Sequence, residues 1–159
     1  MRKCSLIISA TLIFSFVLAL AVIAFAADPH VGTWKLNLAK SKYSPGPAPR
    51  SAIVKVEDQD NGAKLTMDTV DAEGKSSHTE FTAKFDGKDY PLMGNPDVDT
   101  GSFKKPDANT WDEVLKKAGK EVIKSQNAIS KDGMTMTRTV KGKNAKGQEI
   151  NTTIVYDKQ

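Results

Sequence analysis

Apolar and polar residues alternate along most of this chain, in short runs that are separated by turn-forming pairs. Typical pairs are Asn61-Gly62, Asp86-Gly87 and Asp132-Gly133. Asn-Gly and Asp-Gly readily adopt the positive φ angles that two-residue hairpin turns require. The pattern therefore predicts antiparallel strands that follow one another as a meander.

The alternation predicts ten strands, in which successive side chains point to opposite faces. The predicted strands cover residues 31–36, 52–57, 64–70, 76–85, 88–92, 99–104, 110–117, 121–129, 134–140 and 149–156. The prolines of segment 37–50 oppose regular structure there, and only residues 38–43 could form a helical turn. A long meander must protect its edge strands, most simply by closing into a barrel of about 8–10 strands. We therefore predict an all-β, up-and-down barrel that follows an N-terminal signal helix.

The beginning of the chain has the pattern of an export signal. A short basic start is followed by an apolar run without charges over residues 6–25, and a small–x–small sequence ends at Ala26. This arrangement is typical of a cleavable signal peptide. We predict a signal peptide at residues 1–26, a single barrel domain at residues 27–159, and export to the periplasm or out of the cell.

The charge of the predicted mature domain is close to balanced. Without Arg2 and Lys3, 21 basic and 19 acidic side chains remain, which gives a net charge of +2. This balance requires neither nucleic acid nor an anionic membrane as a partner. The single cysteine, Cys4, lies in the leader, so the mature domain must be stable without disulfides. We expect a monomer that contacts no nucleic acid and, after signal cleavage, no membrane.

Residues able to carry out catalysis or to hold a metal are few. The two histidines, His30 and His78, both have polar neighbours, and His30 lies with Asp28 near an N-terminus that we expect to be frayed. A serine nucleophile needs a base within hydrogen-bond reach. Ser76, Ser77 and His78 are adjacent in sequence, but neighbouring residues of a strand face opposite ways. Asp112 and Glu113 point to opposite faces of one strand. We therefore predict no catalytic residue, no metal site and no cofactor, and hence a protein that is not an enzyme.

The sequence Gly32-Thr33-Trp34 begins the first predicted strand, soon after the export signal and ahead of the meander. It resembles the Gly-x-Trp signature of the lipocalin-type calycins. The resemblance implies that the indole closes one end of the barrel and packs against a basic side chain from a late strand. Arg138 is the matching candidate, and such a contact is worth roughly 0.5–2 kcal/mol. The chain also resembles small exported lipocalin-like bacterial proteins, although segment 37–50 is too short for the two-helix lid of the fatty-acid-binding branch.

A small barrel is either filled by its own side chains or encloses one small ligand. We predict the second case, a non-catalytic protein that binds a small hydrophobic or amphipathic ligand in its interior. If Arg138 points inward without Trp34, it could hold an anionic head group; for every candidate residue, simple core packing is the alternative explanation. The candidate ligand-binding residues are Trp34, Met67, Phe81, Phe85, Trp111, Met134, Met136, Arg138 and Tyr156.

The alternative function is that of an exported protein-interaction or inhibitor domain. Its barrel would be filled by side chains, and the proline-rich segment 44–49 would be its exposed recognition element. The interior distinguishes the two functions. A cavity of about 300 Å³ or more would favour ligand binding, and a filled interior would favour the surface role.

Overall fold

The computed structural model describes residues 28–143 and 147–159. The predicted signal peptide, including Cys4 and the cleavage position after Ala26, lies outside the described residues. Within the described part of the chain, no helix has the length and apolar character needed to traverse a bilayer.

The described residues form ten antiparallel strands that close into one barrel. Each strand pairs with its neighbour in sequence, and the first strand closes the barrel by pairing with both the second and the last. One turn of 3-10 helix, Leu38–Lys40, follows the first strand. The predicted all-β meander and its closure are therefore confirmed. The strands are β1 (Gly32–Leu36), β2 (Ser51–Gln59), β3 (Gly62–Val70), β4 (Ser76–Lys84), β5 (Tyr90–Met93), β6 (Thr100–Asp107), β7 (Thr110–Lys117), β8 (Lys120–Ile129), β9 (Thr135–Lys143) and β10 (Glu149–Lys158).

Aromatic rings fill one end of the barrel, and we call this group the plug; its members are His30, Trp34, Phe85, Phe103 and Trp111. The ring of Trp111 is stacked against His30 at 4.7 Å and against Phe103 at 5.1 Å between ring centroids. The indole N–H of Trp34 donates a 2.8 Å hydrogen bond to the backbone carbonyl of His30. Stacked and offset ring pairs of this kind stabilise a buried aromatic cluster. Trp34, Phe103 and Trp111 are each at most 1% exposed, so packed rings occupy this end of the interior.

The residues that precede β1 are fixed against the plug. Asp28 accepts a hydrogen bond from the backbone N–H of His30 at 3.0 Å, and it pairs with the imidazole of His30 and with the Lys105 ammonium. His30 is fully buried. The prediction of a frayed segment at Asp28 and His30 was thus wrong, because a buried ring and a charged anchor hold this segment in place.

The charged anchor predicts an acid-sensitive contribution to stability. Burial alone raises the pKa of Asp28, but hydrogen bonds from His30 and Lys105 outweigh it and hold the pKa below its ordinary value of 3.8. A carboxylate with a depressed pKa stabilises the fold above its unfolded-state pKa and loses this contribution as the pH falls. We expect Asp28→Ala to lower the free energy of unfolding by about 1.5–3 kcal/mol at neutral pH. In urea titrations, the difference from the wild type should shrink as the pH falls below about 4; a constant difference would contradict the assignment.

Candidate functional site

A cavity of about 220 Å³ occupies the barrel interior beyond the plug. It is smaller than the roughly 300–1,000 Å³ of pockets that hold drug-sized ligands. The cavity therefore does not reach the volume of about 300 Å³ that we expected of a ligand-binding interior, but the interior is not filled either. Most of its wall is apolar. The lining residues are Val54, Leu65, Met67, Thr79, Phe81, Leu92, Asn95, Glu113, Leu115, Ile123, Arg138, Val140, Ile154 and Tyr156.

The strand register explains why these residues share one space. Inward positions recur at every second residue, so along β7 Trp111 lies in the plug, Glu113 follows it, and Leu115 lines the cavity. Leu115 is opposite Ile123 on β8. β7 thus contributes one part of its inward face to the plug and the next part to the cavity wall.

A buried ion pair lies in the otherwise apolar wall. The guanidinium of Arg138 on β9 contacts the carboxylate of Glu113 on β7. The hydroxyl of Ser125, on the intervening strand β8, donates a 2.6 Å hydrogen bond to the same carboxylate. Glu113 is only 3% exposed, and a buried charge of this kind needs both a partner and hydrogen bonds. The arrangement supplies both.

Two tyrosines accompany the ion pair. Burial raises the pKa of Tyr156, a cavity-lining residue on β10, and the nearby Glu113 carboxylate acts in the same direction while Arg138 opposes it. Burial likewise raises the pKa of Tyr43 to about 12, with a further contribution from Tyr156. A phenol is protonated at physiological pH even at its ordinary pKa of about 10, so both side chains are neutral. They are available as hydrogen-bond donors.

The predicted ligand-binding residues divide into three groups. The first group lines the cavity, the second is packed in the core without lining it, and the third lies at the surface. Met134 belongs to the third group: it is 52% exposed, and it lies outside the strand, one residue before β9 begins at Thr135. Its predicted inward position was wrong. The cavity group is Met67, Phe81, Arg138 and Tyr156. The core group is Trp34, Phe85, Trp111 and Met136.

The basic partner of Trp34 is not Arg138. The ammonium of Lys158 lies 5.0 Å from the centroid of the indole ring, and Lys158 is opposite Trp34 in the pairing of β1 with β10. Arg138 lies on β9, opposite Ile154 of β10. Ile154 is four residues before Lys158 on β10. The late-strand basic residue that the resemblance implied is therefore present, but it is Lys158, and Arg138 points into the cavity instead.

Sequence reasoning missed the acidic member of the site. Glu113 shares the inward phase of Trp111 and Leu115, so the period-two pattern contained the signal. An apolar-only definition of the interior excluded it. Asn127, opposite Arg138 on β8, was missed for the same reason; it is buried, and its amide nitrogen has no hydrogen-bond partner.

Comparison with known proteins identifies the fold. No protein-family model matches the chain, and no curated protein matches it. Among solved structures, the barrel is similar to zebrafish ileal bile acid-binding protein in complex with cholic acid, with a TM-score of 0.50 and 11% sequence identity. The match covers 82% of this chain and 99% of that chain. At this identity the likeness establishes the fold alone, and the protein is a calycin-like ten-stranded barrel.

Proposed function

We propose that this protein binds a small hydrophobic or amphipathic ligand inside its barrel and does not catalyse a reaction. The observation that carries the proposal is the interior cavity, whose wall is mostly apolar and contains the ion pair of Arg138 with Glu113. Sites for small molecules commonly have this composition. The structurally similar zebrafish protein binds a bile acid in its solved complex, which supports binding as the use of this barrel.

The size of the cavity restricts the proposal to ligands smaller than a drug-sized molecule. A volume of about 220 Å³ suits a slender chain or a single ring with one polar end. We further propose, from the leader-like sequence of residues 1–26, that the protein meets its ligand after export. Native mass spectrometry of protein purified from its own host tests the function directly. A small molecule that co-purifies supports it, and bare protein in repeated preparations counts against it.

A larger side chain that occupies the cavity should weaken the binding of a ligand there. Met67 lines the cavity from β3, and its flexible side chain leaves room that an indole would take. We expect Met67→Trp to weaken the binding of 1-octanol at least about tenfold. Chemical-shift changes in an NMR titration measure the affinity. The matched control is Thr66→Trp, one residue earlier on the same strand and therefore on the outer face. Equal weakening in both variants, or in neither, would contradict an interior site.

A further inference from the structure

We propose that the interior site selects uncharged ligands that carry a hydrogen-bond acceptor, such as a medium-chain amide, and discriminates against the corresponding carboxylate. This inference rests on the proposed function, because it names the ligand class of the same cavity. It follows from the pairing of Arg138 with a residue of the protein itself.

The charges of the site already balance without a ligand. Among the described residues that line the cavity, Arg138 brings one positive charge and Glu113 one negative charge, and the two are in contact. The cavity-lining phenol of Tyr156 adds no charge, because a phenol is already neutral at physiological pH with its ordinary pKa of about 10, and burial raises the pKa of Tyr156 further. The site is therefore formally neutral at physiological pH. An anion that entered it would have no unpaired cation to meet.

A carboxylate ligand would have to share the guanidinium with Glu113. Two negative charges would then lie side by side against a mostly apolar wall, and such juxtaposition of like charges is strongly unfavourable. An ammonium ligand would meet the corresponding repulsion from Arg138. Charged ligands of either sign are therefore disfavoured by the pair as it stands.

A neutral acceptor can bind without disturbing the pair. A guanidinium carries five N–H donors, and one of its nitrogens, Nη2, contacts Glu113. Its other donors and the Tyr156 hydroxyl can be offered to a carbonyl or hydroxyl oxygen. The apolar wall that Leu65, Leu115 and Val140 help to form then contacts the hydrocarbon part of the ligand. The site can therefore donate hydrogen bonds to a ligand, but it has no unbalanced charge with which to attract an ion.

The test compares octanamide with octanoate, which have nearly the same shape and differ in charge at about pH 8. Both are titrated into the wild-type protein by NMR or calorimetry. We expect octanamide to bind at least about tenfold more tightly than octanoate. If octanoate binds as tightly as octanamide or more tightly, the inference is overturned while the proposed function stands. If neither binds although 1-octanol does, the inference also fails; if 1-octanol fails as well, both proposals fail.

The variant Glu113→Gln removes the negative charge and keeps the shape of the side chain. Arg138 is then an unpaired buried cation, so octanoate binding should increase at least about tenfold relative to the wild type. The matched control, Glu57→Gln, removes a charge from an exposed pair with Lys55 on β2 and should leave the preference unchanged. An unaltered preference in folded Glu113→Gln would overturn the inference. If this variant does not fold, the wild-type comparison decides alone.

Discussion

Replacing Trp34 with alanine should lower the free energy of unfolding by about 3–5 kcal/mol, the usual cost of removing a large buried aromatic side chain. The indole is completely buried. It donates a hydrogen bond to the carbonyl of His30, and it lies where β1 pairs with both β2 and β10. Its loss would leave a void in the plug and an unpaired carbonyl. Urea titration followed by circular dichroism measures the change.

A control separates the packing of the indole from its contact with the ammonium above it. Lys158→Met keeps most of the aliphatic stem but removes the charge that lies 5.0 Å from the ring centroid. We expect this variant to lose only about 0.5–2 kcal/mol. If Trp34→Ala costs less than about 1 kcal/mol, the indole does not close the barrel end. If both variants cost the same, the charge dominates and the packing argument fails.

The fold was predictable because its determinants are local. The period-two alternation defines the strand faces, and turns such as Asn61, with its φ of 58°, and Gly133, with its φ of 73°, separate the strands. Closure followed from the need to protect edges. The observed strands differ from the predicted ones by a few residues at their ends. For example, the last strand was predicted to end at Tyr156, and β10 extends to Lys158. Local patterns do not fix where the last hydrogen bond of a ladder forms.

The site was less predictable because it depends on the register of paired strands and on which polar side chains point inward. Lys158 contacts Trp34 because β10 pairs with β1 in the register that places these two residues opposite each other, and the sequence of neither strand alone encodes that register. Glu113 and Arg138 meet across three consecutive strands, because Glu113 is opposite Ser125 on β8 and Arg138 is opposite Asn127 on the same strand. The inward phase of Glu113 was present in the sequence. The presence of a cavity was not, because apolar inward residues are compatible with a filled interior and with a hollow one.

Replacing Arg138 with methionine should cost about 3–5 kcal/mol of stability, because it leaves the Glu113 carboxylate buried without a cation. The side chains of Arg138 and Glu113 are only 14% and 4% exposed, so both charges are largely shielded from bulk solvent. The remaining hydrogen bond from Ser125 satisfies only part of the carboxylate. The free energy of unfolding from urea titrations at neutral pH measures the loss.

The double variant Glu113→Met/Arg138→Met shows whether this cost comes from an isolated charge or from lost packing. Removing both members of a buried pair is often close to neutral, because the desolvation cost of both charges disappears together with their attraction. We therefore expect the double variant to be more stable than Arg138→Met alone, with a coupling energy of about 0.5–3 kcal/mol. A double variant no more stable than the single one would mean that the two side chains contribute to the wall independently. The balanced charge on which the ligand preference depends would then lose its structural basis.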